Sequence, residues 1–127
     1  MAVNYKPVPK KNPAKQDEHP KYYAQAVSTG DLSLRQLAKM ITEVASVKSA
    51  DTMAVLEALL DVLPMALADG KIVRLGDFGS FNLSIKSDGT EDINKLTSAN
   101  IRKVAVNFRP GKEFTNALEH LVFNKIV

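Results

Sequence analysis

Proton transfer, nucleophilic attack and metal binding draw mostly on cysteine, histidine and clustered carboxylates, and this 127-residue chain is poor in them. It has no cysteine, so thiol catalysis, thiolate zinc sites and a disulfide framework are excluded together. The two histidines, His19 and His120, are too isolated to form a ligand pair or a nucleophile and base, and Glu43, Glu57 and Asp61 read as wet helix faces. No glycine-rich loop with a Walker lysine occurs. The expectation is therefore a protein without catalysis, cofactor, metal or small-molecule substrate. Lysine and arginine remain, and their chemistry is the neutralisation of anions. The net charge is only +3, but it is segregated. Residues 1–30 hold five lysines against two acidic groups, residues 31–70 three basic against six acidic, and residues 71–127 nine basic against six acidic. Two basic regions around an acidic middle fit an anionic partner, with an ordinary solubilising surface as the alternative. Lys6, Lys10, Lys11 and Lys15 alternate with Pro7, Pro9, Pro13 and Pro20, which reads as an extended tail able to track a phosphate backbone.

The elements that must position these charges follow from composition and periodicity. Hydrophobic residues make up 45% and charged residues 24%, which places the chain among ordinary globular domains of its length. No apolar run is long enough to span a bilayer, and MAVNYKPVPKKNPAK lacks the apolar region of a signal peptide, so a cytoplasmic protein is expected. The division is a basic, proline-rich tail over residues 1–30 and a folded domain over residues 31–127. Leu34, Leu37, Ile41 and Val44 recur at helical spacing behind a Ser33/Gln36 capping box. A second helix is predicted from Ser49, with the Ser49 hydroxyl as its cap. Val55, Leu56, Leu59, Leu60, Leu63 and Leu67 give it an apolar face wide enough for two partners, and a bend is expected at Pro64. Asp69-Gly70 supplies the exit.

After Gly70 the period changes to two. Ile72, Val73 and Leu75 predict a short strand, and Gly76-Asp-Phe-Gly79 a tight corner. Phe81, Leu83 and Ile85 then alternate with polar residues as a half-buried strand, with Asp88-Gly89 as a hairpin turn. Val104, Val106 and Phe108 form the next strand. Pro110 is placed in the first turn of a last helix striped by Phe114, Leu118 and Leu121. The fold class is α+β.

Within that order, Asp77-Phe-Gly-Ser-Phe81 and Phe108-Arg-Pro-Gly-Lys112 resemble the two most recognisable motifs of the HU/integration host factor family of bacterial DNA-architectural proteins. The resemblance covers about residues 31 to 123, and the N-terminal extension is similar to that of HU-like members from the Bacteroidetes. It implies two N-terminal helices, an antiparallel sheet with an arm, a C-terminal helix and an intertwined homodimer, or a heterodimer with a paralogue. Phe78, Phe81 and Phe108, with Leu59, Leu63 and Leu83, would form the shared dimer core. The implied partner is double-stranded DNA, with a nucleoid-associated, DNA-condensing role. The implied contacts are Arg109 and Lys112 beside the last helix, then Arg74, and Lys86, Arg102 and Lys103 at the base of the arm. Lys6, Lys10, Lys11 and Lys15 are added as tail contacts.

The arm departs from the family pattern. Ser87 to Thr97 contains no proline to wedge between base pairs, and it carries three acidic residues against one lysine. Shorter or differently folded arms with weak bending are therefore expected, driven by backbone contacts with little sequence preference. Ile93 and Leu96 are expected to pack locally. The alternative is an HU-fold protein-interaction module that has lost DNA binding.

Overall fold

The computed structural model describes residues 2–15 and 17–126. Its element order is β1 (Val3–Lys10), β2 (Lys21–Val27), α1 (Leu34–Val44), α2 (Ser49–Ala68), β3 (Val73–Arg74), β4 (Gly79–Ser87), β5 (Ile101–Pro110), α3 (Lys112–Asn116) and β6 (Phe123–Lys125). The described residues form a mixed α+β fold with three α-helices and two three-stranded sheets, ordered β2-β1-β6 and β3-β4-β5.

The tail expected to be extended and unpaired is instead a hairpin: β1 and β2 pair antiparallel from Asn4–Val27 to Lys10–Lys21. Backbone geometry explains how a proline-rich segment manages this. The Val3 amide donates to Val122 at 2.8 Å and the Tyr5 carbonyl accepts from Ile126 at 2.9 Å, so odd-numbered residues of β1 turn their backbone groups toward β6. Among the described residues β6 pairs with Val3–Tyr5. Pro7 and Pro9 continue that odd series, so their missing N–H groups lie on the side away from β2, where no bond of the β1–β2 ladder is lost.

The helices start and stop for local reasons. Ser33 accepts from the Gln36 amide at 3.1 Å while the Gln36 side chain accepts from the Ser33 amide at 2.9 Å, completing the capping box. α2 begins one residue earlier than its expected cap implies. Lys48 is the N-cap and Ser49 already lies inside the helix, without a side-chain cap bond. The helix runs through Pro64 without stopping. It ends in a Schellman motif, in which the Gly70 amide donates to Leu67 at 3.0 Å and the Lys71 amide to Ala66 at 3.3 Å, with Gly70 at φ 82°.

Several boundaries in the second half differ from the periodicity. β3 is confined to Val73–Arg74. Asp88-Gly89 is not a two-residue turn; residues 88–100 form a longer excursion closed by the Asp88 amide donating to Asn100 at 2.9 Å. Within it, 3-10 turns at Ile93–Lys95 and Ser98–Asn100 are capped by Asp92 and Thr97. Pro110 is the last residue of β5, opposite Gly79, because Gly111 is the N-cap of α3. α3 is a single turn, so Leu118 and Leu121 lie beyond it, and the chain turns back to add β6 beside β1.

The corner between the sheet and α3 is held by backbone approach. A Cβ on Gly111 would overlap the Asp77 carbonyl, and one on Gly79, at φ 143°, would overlap the Arg109 carbonyl. Four phenylalanines close over this corner. Phe81 and Phe108 lie 4.9 Å apart, Phe78 and Phe114 5.4 Å, Phe78 and Phe108 5.7 Å, and Phe108 and Phe114 6.0 Å between ring centroids. Phe114 belongs to the cluster although the motif-based reading named only the other three.

Burial is sparse. Among the described residues the buried hydrophobics are Ala38 and Leu67. Phe78 remains 51% exposed and Phe108 40%, Leu59 and Leu83 are open, and Phe81 and Leu63 are half-buried.

Candidate nucleic-acid interface

Strand alternation sorts the β3-β4-β5 sheet into two unlike faces. Registers Val73–Phe81–Phe108, Leu83–Val106 and Ile85–Val104 stack apolar side chains on one side. Registers Arg74–Ser80–Arg109, Asn82–Asn107, Ser84–Ala105 and Lys86–Lys103 share the other. That second face carries four cations and no carboxylate. Arg74 and Arg109 stand at one end, an Asn107 amide donating to Asn82 at 3.1 Å holds the middle, and Lys86 opposes Lys103 at the far end. Ser80 to Lys86 spans about 20 Å at the usual rise per strand residue.

The arginine end is concave. A cleft of about 250 Å³ is lined by Arg74, Ser80 and Arg109 together with the backbone of Gly76, Gly79 and Gly111. Two guanidiniums flanking a glycine-lined hollow can receive a phosphate by charge and by planar hydrogen bonding.

The other expected contacts fare differently. Arg102 sits at the register shift beyond Lys86, where Ser87 pairs with Ile101, and its guanidinium is taken by Asp88 in an ion pair. Lys112 follows the corner as the first residue of α3, outside the paired rows. Because α3 has five residues, it has too little helix behind it to add a dipole contribution at Lys112. Ile93 is 84% exposed, so its expected local packing is absent, and Leu96 is about half exposed. The acidic tip is thus a hydrogen-bonded loop beyond the cationic face and not part of it.

Lys6 and Lys10 lie on one face of β1, while Lys11 and Lys15 belong to the segment joining β1 to β2. Lys10 lies over the Tyr23 ring, 5.6 Å from its centroid. The register adds Lys21, opposite Lys10, a further cation that sequence reading passed over because pairing with β1 was not foreseen. His19 lies beside this hairpin end and His120 in the turn after α3. Among the described residues, no group of three or more His, Cys, Asp or Glu could hold a metal ion, and no helix is long and apolar enough to cross a membrane.

Comparison with known proteins follows this geometry. Residues 1–125 match the HU-HIG family model, described as an HU domain fused to wHTH, Ig, or glycine-rich motif. A provisionally assigned bacterial DNA binding protein from Bacteroides vulgatus, solved by crystallography, is similar with a TM-score of 0.65 at 14% identity, over 99% of this chain and 49% of that one. The chain therefore spans about half the length of that relative. The Anabaena HU protein in its DNA cocrystal is similar with a TM-score of 0.53 at 24% identity, over 69% of this chain and 98% of that one. No curated protein matches the sequence.

Proposed function

The chain belongs to the HU-HIG family of HU domains, and from that membership we propose that it binds duplex DNA as a dimer, as an architectural protein of the bacterial nucleoid in the cytoplasm. The observation that carries this reading is the cationic face of β4 and β5. Arg74, Arg109, Lys86 and Lys103 share one side of a sheet whose other side is apolar. Phosphates spaced along a duplex meet such a stripe without any base being read, so affinity follows ionic strength and not sequence. The Anabaena relative was crystallised with DNA, which supports the same partner here.

The dimer is supported by exposed area. A 13.9 kDa monomer of ordinary compactness exposes about 6,700 Å² by the usual mass scaling. This chain exposes 11,136 Å². Exposed apolar side chains on α2, on the inner face of β4 and β5, and in the phenylalanine cluster include Leu59, Phe78, Leu83 and Phe108, which with the half-buried Leu63 and Phe81 would meet a partner copy. In this reading the body is residues 31–127 and residues 1–30 form an appendage on it. Bending is weak, because the arm tip presents Asp88, Glu91 and Asp92 and no proline.

The test is titration of a labelled duplex of about 30 base pairs at several salt concentrations, where log affinity falls linearly with log salt by about 0.9 per phosphate contacted. A slope of several units, the same for unrelated sequences, is expected. Absence of binding at low salt overturns the reading in favour of a protein-interaction module.

A further inference from the structure

The β1–β2 hairpin has two faces as unlike as those of the other sheet. Val3, Tyr5, Pro7 and Pro9 share one with Tyr22, Ala24 and Ala26. Val3, Tyr5, Ala24 and Ala26 line an apolar hollow of about 470 Å³ together with Phe123. Asn4, Lys6, Val8 and Lys10 share the other face with Lys21, Tyr23 and Gln25. Every charged residue of the two strands lies on that second face.

Among the described residues its charges have no ion-pair partner. Among the described residues the hairpin has one ion pair, Lys15 to Glu18 at 3.6 Å, and Lys6, Lys10 and Lys21 are not in it. Lys10 directly opposes Lys21. Like charges facing each other across a ladder destabilise it, so the arrangement costs stability unless an anion sits between them. Lys86 opposes Lys103 in the same way on the cationic face of the other sheet. Both hairpins thus carry a cross-strand lysine pair on their polar face. The concavity beside Lys10 and Lys21, about 290 Å³, is also lined by Lys11, Asn12, His19 and Tyr23, with Glu18 already engaged by Lys15. The Lys10 ammonium lies over the Tyr23 ring at the same end of this face.

We propose that the lysine face of the β1–β2 hairpin, Lys6, Lys10 and Lys21, is a second duplex-DNA surface that grips the phosphate backbone in place of the acidic tip between β4 and β5. It rests on the reading that the chain binds DNA and adds where a further set of contacts lies. Lys6 and Lys10 stand about 14 Å apart along an extended strand, so they reach separate phosphates of a backbone with one charge per about 1.7 Å of duplex axis.

The experiment compares three full-length proteins in the salt titration: the native chain, a K6Q/K10Q/K21Q variant, and an R35Q/K39Q/K48Q variant that removes equal charge from the helical region. Circular dichroism and sedimentation check that all three keep the same fold and assembly. The expected result is a slope lowered by about 2 to 3 units for each protomer that contacts the duplex in the hairpin variant, and unchanged in the helical variant. A native chain that binds, with a hairpin variant of unchanged slope, overturns the second surface and leaves DNA binding standing; an anionic protein partner for the hairpin then becomes the explanation. Equal losses in both variants also overturn it, because they report net charge alone. A native chain that does not bind overturns both.

Discussion

Single residues separate what a motif implies from what an environment allows. Arg102 and Arg109 are both arginines of β5, yet Asp88 holds one guanidinium while the other lines a glycine-framed hollow. Arg109→Gln is expected to lower the salt slope by about 1 unit for each protomer that contacts the duplex, and Arg102→Gln to leave it nearly unchanged, both read in the duplex titration. Gly111 is set by backbone approach, since the place of its Cβ is occupied by the Asp77 carbonyl. Gly111→Ala must force the corner apart and is expected to destabilise the fold by about 2 kcal/mol or more, seen as a lower urea midpoint. The glycine in the F-x-x-G-K step was legible as a motif. Its reason was not, because the clashing atom lies 34 residues away.

At the scale of elements, some local signals were read correctly and others were not: the Ser49 cap and the Asp88-Gly89 turn do not form. The Ser33/Gln36 box and the glycine exit of α2 are satisfied within a few residues, and both form as expected. Ser33→Ala is expected to cost about 1 kcal/mol in thermal or urea unfolding, with DNA binding unchanged in slope. The N-terminal hairpin was missed because proline marks a strand as improbable unless its nitrogen faces an unpaired edge. That condition depends on β6, more than a hundred residues away. The prolines also blunt that edge against further strand pairing. Pro7→Thr with Pro9→Thr is therefore expected to preserve the fold and increase concentration-dependent association beyond that of the native chain, measured by light scattering. α3 was expected to be longer because Leu118 and Leu121 continue a helical spacing, but the chain leaves the helix to supply β6.

At the scale of the molecule, the exposed area is well above that of a compact monomer, and the proposed dimer would place much of the stability in assembly. If folding and dimerisation are one event, the unfolding temperature rises with protein concentration, and dilution lowers it. A melting temperature constant over a hundredfold dilution is incompatible with an obligate dimer. Phe114→Ala, which opens the four-ring cluster, is expected to weaken the assembled state by about 3 kcal/mol or more. The unfolding temperature of this variant is expected to fall at every concentration.

The sequence by itself determined the α+β class, the corner motifs, the segregation of charge and the anomalous acidic arm tip, because these are properties of composition and of spacings within a few residues. The tertiary structure decided which cations stand together. Strand register placed Arg74 beside Arg109 through Ser80, opposed Lys86 to Lys103 and Lys10 to Lys21, and removed Arg102 to Asp88. Register is set by long-range pairing. A shift of one residue would move every side chain of a strand to the opposite face, and no local spacing specifies it.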